Sequence, residues 1–170
     1  MLSELLERVT EVEAATARVN EQIAREVAES ADPFVSEAVK LLQTIPGVGL
    51  RVAEVIVSEI GVDMTRFPSD AHLASWAGVC PGNNESAGKR RSGQTTKGSP
   101  YLRAAITQAA WAAAHTKQTY LAAQYHRLIK RKGKNKALVA VAHSLLVIVY
   151  HVLAYRTDYH ELGGDYEKGS

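Results

Sequence analysis

Between Asn83 and Gly98 the chain reads Asn-Asn-Glu-Ser-Ala-Gly-Lys-Arg-Arg-Ser-Gly-Gln-Thr-Thr-Lys-Gly. Four cations (Lys89, Arg90, Arg91 and Lys97), several hydroxyls and three glycines make a surface suited to phosphates. Apart from the prolines, Ala87 is the one apolar side chain between Pro81 and Pro100. A stretch of that length with no core anchor is usually functional or disordered. Near its start stands Ser86, whose hydroxyl becomes a nucleophile only if a base or a metal activates the reaction. Taken alone, a serine in a basic loop is far more often simply solvated. No Gly-x-x-x-x-Gly-Lys-Ser/Thr arrangement occurs, which excludes a nucleotide-binding loop of that type.

Two further groups favour an anionic partner. Leu42, Ile45, Gly47-Val48-Gly49, Ala53 and Ile56 form a helix-hairpin-helix signature over residues 41–61. Its glycines permit a tight turn whose free amides, with the dipole of the next helix, suit a phosphate; Gly47, Gly49 and Arg51 are the candidates. Such a contact would position a backbone without reading bases. The alternative is a purely structural turn between helices. Five bases in seven residues follow later: Lys130, Arg131, Lys132, Lys134 and Lys136. These read as an inter-helix loop, either merely solvated or part of a backbone-binding face with Arg103 and the first basic loop. No metal site is evident. The six histidines include no pair four residues apart, and the acids lie mostly in the first third. Cys80 is the single cysteine, so there is no intrachain disulfide and no cysteine-based zinc site.

The elements that must hold these groups are helical. Leu5, Val9, Val12, Thr16, Val19 and Ile23 recur at gaps of 4, 3, 4, 3 and 4, a heptad seam on a coiled-coil-like helix over 1–31. Such a stripe seeks a second copy or a helix of the same chain, and self-association is the preferred expectation. Asp32-Pro33 reads as the cap and first position of a helix running to about Thr44. Another helix ends near Gly61, and a short one spans Asp70 to Ala77 with Ser69 or Asp70 as cap. Ser99-Pro100 opens an alanine-rich helix, and helices follow over 120–132 and 136–156. No segment alternates as a strand, so the class is all-α, with a helical domain over 32–160 and a loosely held tail over 161–170. The apolar content of 46% supports a sizeable core, while a net charge of +2 says nothing by itself about partners. Ala137–Tyr155 is long enough to cross a membrane, but His143, Ser144 and His151 interrupt it, and a buried core helix is the expectation. Met1–Val9 has neither the basic start nor the apolar run of a signal peptide.

Several of these stretches resemble one family. The run Gly78-Val79-Cys80-Pro81-Gly82 through Gly93 and the run Thr96-Lys97-Gly98-Ser99-Pro100 through Ala105 are similar to the C-terminal domain of the IS-one-ten/IS-one-sixteen insertion-sequence transposases. These are serine/DEDD, bridge-RNA-guided recombinases. Ile45–Gly49, Ala110–Ala113, Ala140–Ser144 and Leu162–Tyr166 match as well. The resemblance implies a C-terminal part that binds DNA and a structured guide RNA, with Ser86 as nucleophile for strand cleavage and exchange. Many members have glycine directly after that serine, where this chain has Ala87 and then Gly88. The resemblance also implies a nuclease domain outside this chain that holds magnesium, no cofactor within these residues, and a cytoplasmic, nucleoid-associated homo-oligomer joined through the N-terminal helix. No membrane partner is expected. The alternative is a non-catalytic nucleic-acid-binding or oligomerisation module.

Overall fold

The computed structural model describes residues 1–30, 32–79 and 98–163, together with the backbone pairs 85–86 and 89–90. Seven α-helices carry these residues: α1 (Leu2–Ala28), α2 (Phe34–Leu42), α3 (Leu50–Ile60), α4 (Asp70–Trp76), α5 (Pro100–Ala114), α6 (Tyr120–Lys132) and α7 (Lys134–Tyr155). The all-helical class stands, with one addition. Glu85–Ser86 (β1) and Lys89–Arg90 (β2) pair antiparallel, so the expectation of no strand is corrected by a ladder of two residues a side. A segment this short shows no alternation in sequence.

Local chemistry sets the helix starts. Asp32 Oδ1 accepts the Phe34 amide at 2.9 Å, and Pro33 is already helical, with φ −62°. Ser69 caps α4 by accepting from the His72 amide, and Thr119 caps α6 by accepting from Ala122. α2 ends at Leu42, two residues short of the expected Thr44. The Thr44 hydroxyl donates to Leu41 O at 2.6 Å, and the Thr44 and Ile45 amides turn back to Leu41 and Leu42.

α7 is the axis of the core. Val141, Leu145, Leu146 and Val149 are fully buried, and α7 packs on α2, α4, α5 and α6. It is the one helix among the described residues long and apolar enough to cross a membrane, yet the other helices bury its core face. α5 lies beside it through Ala105, Ala109, Ala110, Ala113 and Ala114, all buried. Small side chains there let a backbone approach. Gly47, at φ +88°, sits directly against Ala109 O and within 2.6 Å of the Ala113 amide, measured from where a Cβ would stand. No larger residue fits, and the left-handed backbone suits only glycine.

The helix expected to reach Lys132 ends there, and α7 begins two residues before the expected Lys136, so the inter-helix loop shrinks to Gly133. Lys130, Arg131 and Lys132 are the last turn of α6, Lys134 and Lys136 belong to the first turn of α7, and Gly133 alone separates them. Lysine and arginine are good helix formers, so a charged run does not stop a helix. The start of the expected loose tail is also tied down. Glu161 Oε1 accepts from the Tyr120 and Gly163 amides, both at 2.8 Å, while the Tyr159 amide donates to Thr44 Oγ1 at 2.9 Å. Burial, and then the neighbouring Glu161, hold the Tyr159 phenol well above its usual range.

α1 buries no residue. Its last two turns lean on α3, where Arg51 donates to Asn20 O at 3.0 Å and Val27 packs against the core. Leu5, Val9, Val12 and Val19 are all more than half exposed. The seam therefore meets its own chain only at its C-terminal end.

Gly47→Ala should lower the unfolding free energy by about 2 kcal/mol or more, since it adds both a backbone clash and an unfavourable φ. Gly49→Ala, with open space around it, should cost about 1 kcal/mol or less. Equal urea midpoints for the two variants would contradict this packing.

Candidate nucleic-acid interface

The basic loop departs from and returns to one place. On the entry side Val79 is buried and its amide donates to Ala74 O at 3.2 Å. On the return side a Cβ on Gly98 would collide with the Ala77 carbonyl and lie 2.6 Å from Trp76 O. Ser99 follows. Its hydroxyl donates to Glu59 at 2.6 Å and accepts from the Leu102 amide at 3.3 Å, which ties the start of α5 to α3. The two ends of the loop thus converge on the C-terminal end of α4, which gives it a fixed base.

Within that loop Ser86 is the Cα partner of Lys89, and Glu85 of Arg90. The serine closes β1, opposite a cationic residue type. Arg91 and Lys97 lie outside the described residues.

Arg103 is half-buried on α5, one turn beyond Pro100. It lines a groove of about 640 Å³ with Pro100, Ala104, Thr107, Gln108, Trp111 and Leu138. The Lys130–Lys136 cations gather around Gly133 and are all exposed. Lys134 and Leu138, one helical turn apart, share a face of α7. Arg103, the groove and the α6–α7 knuckle therefore form one connected surface.

The hairpin turn does not join it. Ala109 and Ala113, which Gly47 touches, lie on the side of α5 opposite Pro100, Arg103, Thr107 and Trp111, at about 100° per residue. Arg51 is engaged within the chain: its Nη1 stands 2.9 Å from Glu54 Oε2, a buried carboxylate, as well as on Asn20 O. Gly49 is the part of the turn that stays open, as the residue capping α3.

The early acids and later basic clusters of the sequence belong to a sharper division. Residues 86–157 contain thirteen lysines and arginines and not one aspartate or glutamate. The other ninety-eight residues hold the remaining seven bases and all eighteen acids. Net charge near neutrality hides a strongly cationic half. Folding sets α5, α6 and α7 side by side, which brings the cations of these three helices onto neighbouring elements. A second concavity, of about 660 Å³, is lined by Asp32, Asp63, Tyr150 and Arg156. The Asp63 carboxyl is held below its usual range, first by the Thr65 hydroxyl and then by the Thr65 amide. Its negative charge makes that hollow a poor seat for a polyanion. Among the described residues no three His, Cys, Asp or Glu side chains gather as a metal site.

Comparison with known proteins agrees with this distribution. A model of the Transposase IS116/IS110/IS902 family matches residues 39–127, just over half of the chain. The chain belongs to that family. The matched stretch runs from α2 into α6 and includes the hairpin turn, the basic loop and the groove-bearing α5. The transposase family is also reflected in individual relatives. The chain is 30% identical over 121 residues to the Streptomyces coelicolor "Insertion element IS110 uncharacterized 43.6 kDa protein". It is 32% identical over 126 residues to the "Pilin gene-inverting protein" of Moraxella bovis and to that of Moraxella lacunata. These alignments cover 70% and 71% of this chain but 29% and 38% of the relatives, so the chain spans roughly a third of their length.

If the α6–α7 knuckle contacts phosphates, Lys130→Gln with Lys132→Gln should flatten the salt dependence of duplex binding. The log–log slope should fall by about 0.9 for each phosphate that is no longer neutralised. A fluorescence-anisotropy titration across salt concentrations checks this, and an unchanged slope would remove the knuckle from the interface.

Proposed function

We propose that this chain is the DNA-handling C-terminal part of a transposase or site-specific recombinase, and that it supplies Ser86 as the nucleophile for strand cleavage and exchange. The observation that carries the DNA-binding reading is the acid-free cationic half, with a hydroxyl-bearing loop rooted beside it. Family membership points to recombination chemistry, and the printed name of the Moraxella relatives, a gene-inverting protein, is in keeping with it.

In the proposed step the Ser86 Oγ attacks a DNA phosphorus and loses its proton to a base. The P–O bond to the 3′ oxygen breaks, that oxygen takes up a proton, and the 5′ phosphate is left esterified to the serine. Lys89, Arg90, Arg91 and Lys97 would neutralise the nonbridging oxygens or hold the flanking strand. Rejoining reverses the step with another strand's 3′ hydroxyl. Magnesium would be held by a nuclease part outside this chain, as the family resemblance implies. Lys130–Lys136 and Arg103 grip the backbone without reading sequence, and a structured guide RNA would meet the same cationic face. The Gly49 end of α3 would add a backbone contact on the other side, completing a helix-hairpin-helix role. The cytoplasm, at the nucleoid, is the setting for such chemistry.

The exposed seam of α1 supports assembly by pairing with a second copy as a coiled coil. Val12→Asp with Val19→Asp should then reduce the sedimenting mass of the chain, and an unaltered mass would exclude the seam as the contact.

The parent protein should give a DNA–protein adduct stable to denaturant, lost in Ser86→Ala while DNA binding persists. Full recombination by the alanine variant would reduce the loop to a grip. The 170-residue chain alone should bind DNA without cutting it.

A further inference from the structure

The groove between the loop and the basic knuckle has no part in the chemistry described so far. Pro100, Arg103, Ala104, Thr107, Gln108 and Trp111 lie at intervals of 3, 1, 3, 1 and 3, a single stripe on α5, with Leu138 of α7 as the facing wall. A stripe on the solvent side of a buried helix is normally polar. This one ends on Trp111, which is 53% exposed. The indole is not loose. Its ring stands 4.2 Å from that of His115, whose Nδ1 is 2.7 Å from Trp111 O. An aromatic ring held by a neighbour and open on its other side is a stacking platform.

We propose that this groove receives an unpaired nucleobase of a DNA strand, stacked on Trp111, with its backbone running between Arg103 and the α6–α7 knuckle. This rests on the nucleic-acid reading given above and adds to it the state of the strand. The occupant follows from charge and shape. No acid lines the groove, Arg103 lies within it, and Lys134 stands one turn from Leu138 on the same face of α7. A strand entering the groove thus keeps its phosphates among cations while a base leaves water for an apolar floor. Gln108 offers a donor and an acceptor to the base edge, Thr107 Oγ1, whose proton goes to Arg103 O, offers an acceptor, and Ala104 leaves room for the ring. A paired duplex cannot use this site, because its bases are stacked and only their edges face outward. A single strand can, since every base has a π-face. Position supports the same conclusion. Pro100 directly follows the loop that carries Ser86, so a strand held at the loop leads onto the stripe.

The test uses the 170-residue chain carrying Trp76→Phe, so that Trp111 is the remaining tryptophan. Oligothymidylate of about a dozen nucleotides should quench Trp111 emission along the same isotherm that anisotropy reports. A blunt duplex of equal length should bind with little quenching. Trp111→Ala should weaken single-strand binding by about tenfold and leave duplex binding unchanged. Single-strand binding with no change in Trp111 emission would overturn the groove assignment while the basic-face reading survives. Failure of both single strand and duplex to bind would overturn both readings. Emission that shifts with protein concentration alone, without DNA, would mean that a second copy covers the groove and would also overturn the proposal. Stronger quenching by oligouridylate would overturn the choice of DNA.

Discussion

The arrangement depends on how closely α5 can be approached. On one side its alanines admit Gly47 to backbone distance, and at its start the Ser99 hydroxyl is shared between Glu59 and the Leu102 amide. On the remaining side α7 presses Val141, Leu145 and Val149 into the core. A helix fixed on these sides leaves one stripe free, and that stripe carries Arg103, Gln108 and Trp111. The return end of the basic loop is fixed by the same helix, because Ser99 caps α5. Interiors packed at crystal density transmit such constraints without slack.

Concentrating thirteen cations in 72 consecutive residues works against folding through self-repulsion. The core of α7 supplies the opposing stabilisation, since long aliphatic burial is indifferent to charge. The two ends at Gly133 differ in their local electrostatics. Lys130, Arg131 and Lys132 meet the negative end of the α6 dipole and are favoured there. Lys134 and Lys136 meet the positive end of the α7 dipole and oppose it, by about 0.3–1 kcal/mol each when exposed. A sequence shaped for stability alone would place acids in that first turn. Departures from local rules of this kind gather at functional surfaces.

Much of this was legible because it is local chemistry. Ser99-Pro100, Asp32-Pro33 and Ser69 announce helix starts through a side-chain acceptor and a fixed φ, and both act within three residues. The buried character of α7 was legible from its interrupting histidines. The break after Lys132 was expected to last until Lys136 because a polar stretch looks like a loop, whereas only Gly133 breaks the helix. The role of Gly47 was not legible at all. Its neighbours Ala109 and Ala113 lie more than sixty positions away, and a glycine reserved for a turn looks the same as one reserved for a distant backbone. The groove escaped notice for a related reason: Leu138 joins the α5 stripe only after the helices pack. The charge segregation was legible in outline behind the total of +2, as early acids and two later basic clusters.

The way α1 joins the rest has a mechanical meaning. Only its last turns rest on α3, and the eighteen residues from Leu2 to Val19 extend beyond them by about 27 Å. A straight α-helix is stiff over that span, so it behaves as a strut whose length and rotational phase are both specified. Adding one residue within it would lengthen the strut by about 1.5 Å and turn whatever lies beyond through about 100°. Adding seven would nearly restore the phase while moving the far end by about 10 Å. Register along this helix thus acts as a ruler, setting how far from the helical core, and at what angle, its free end stands.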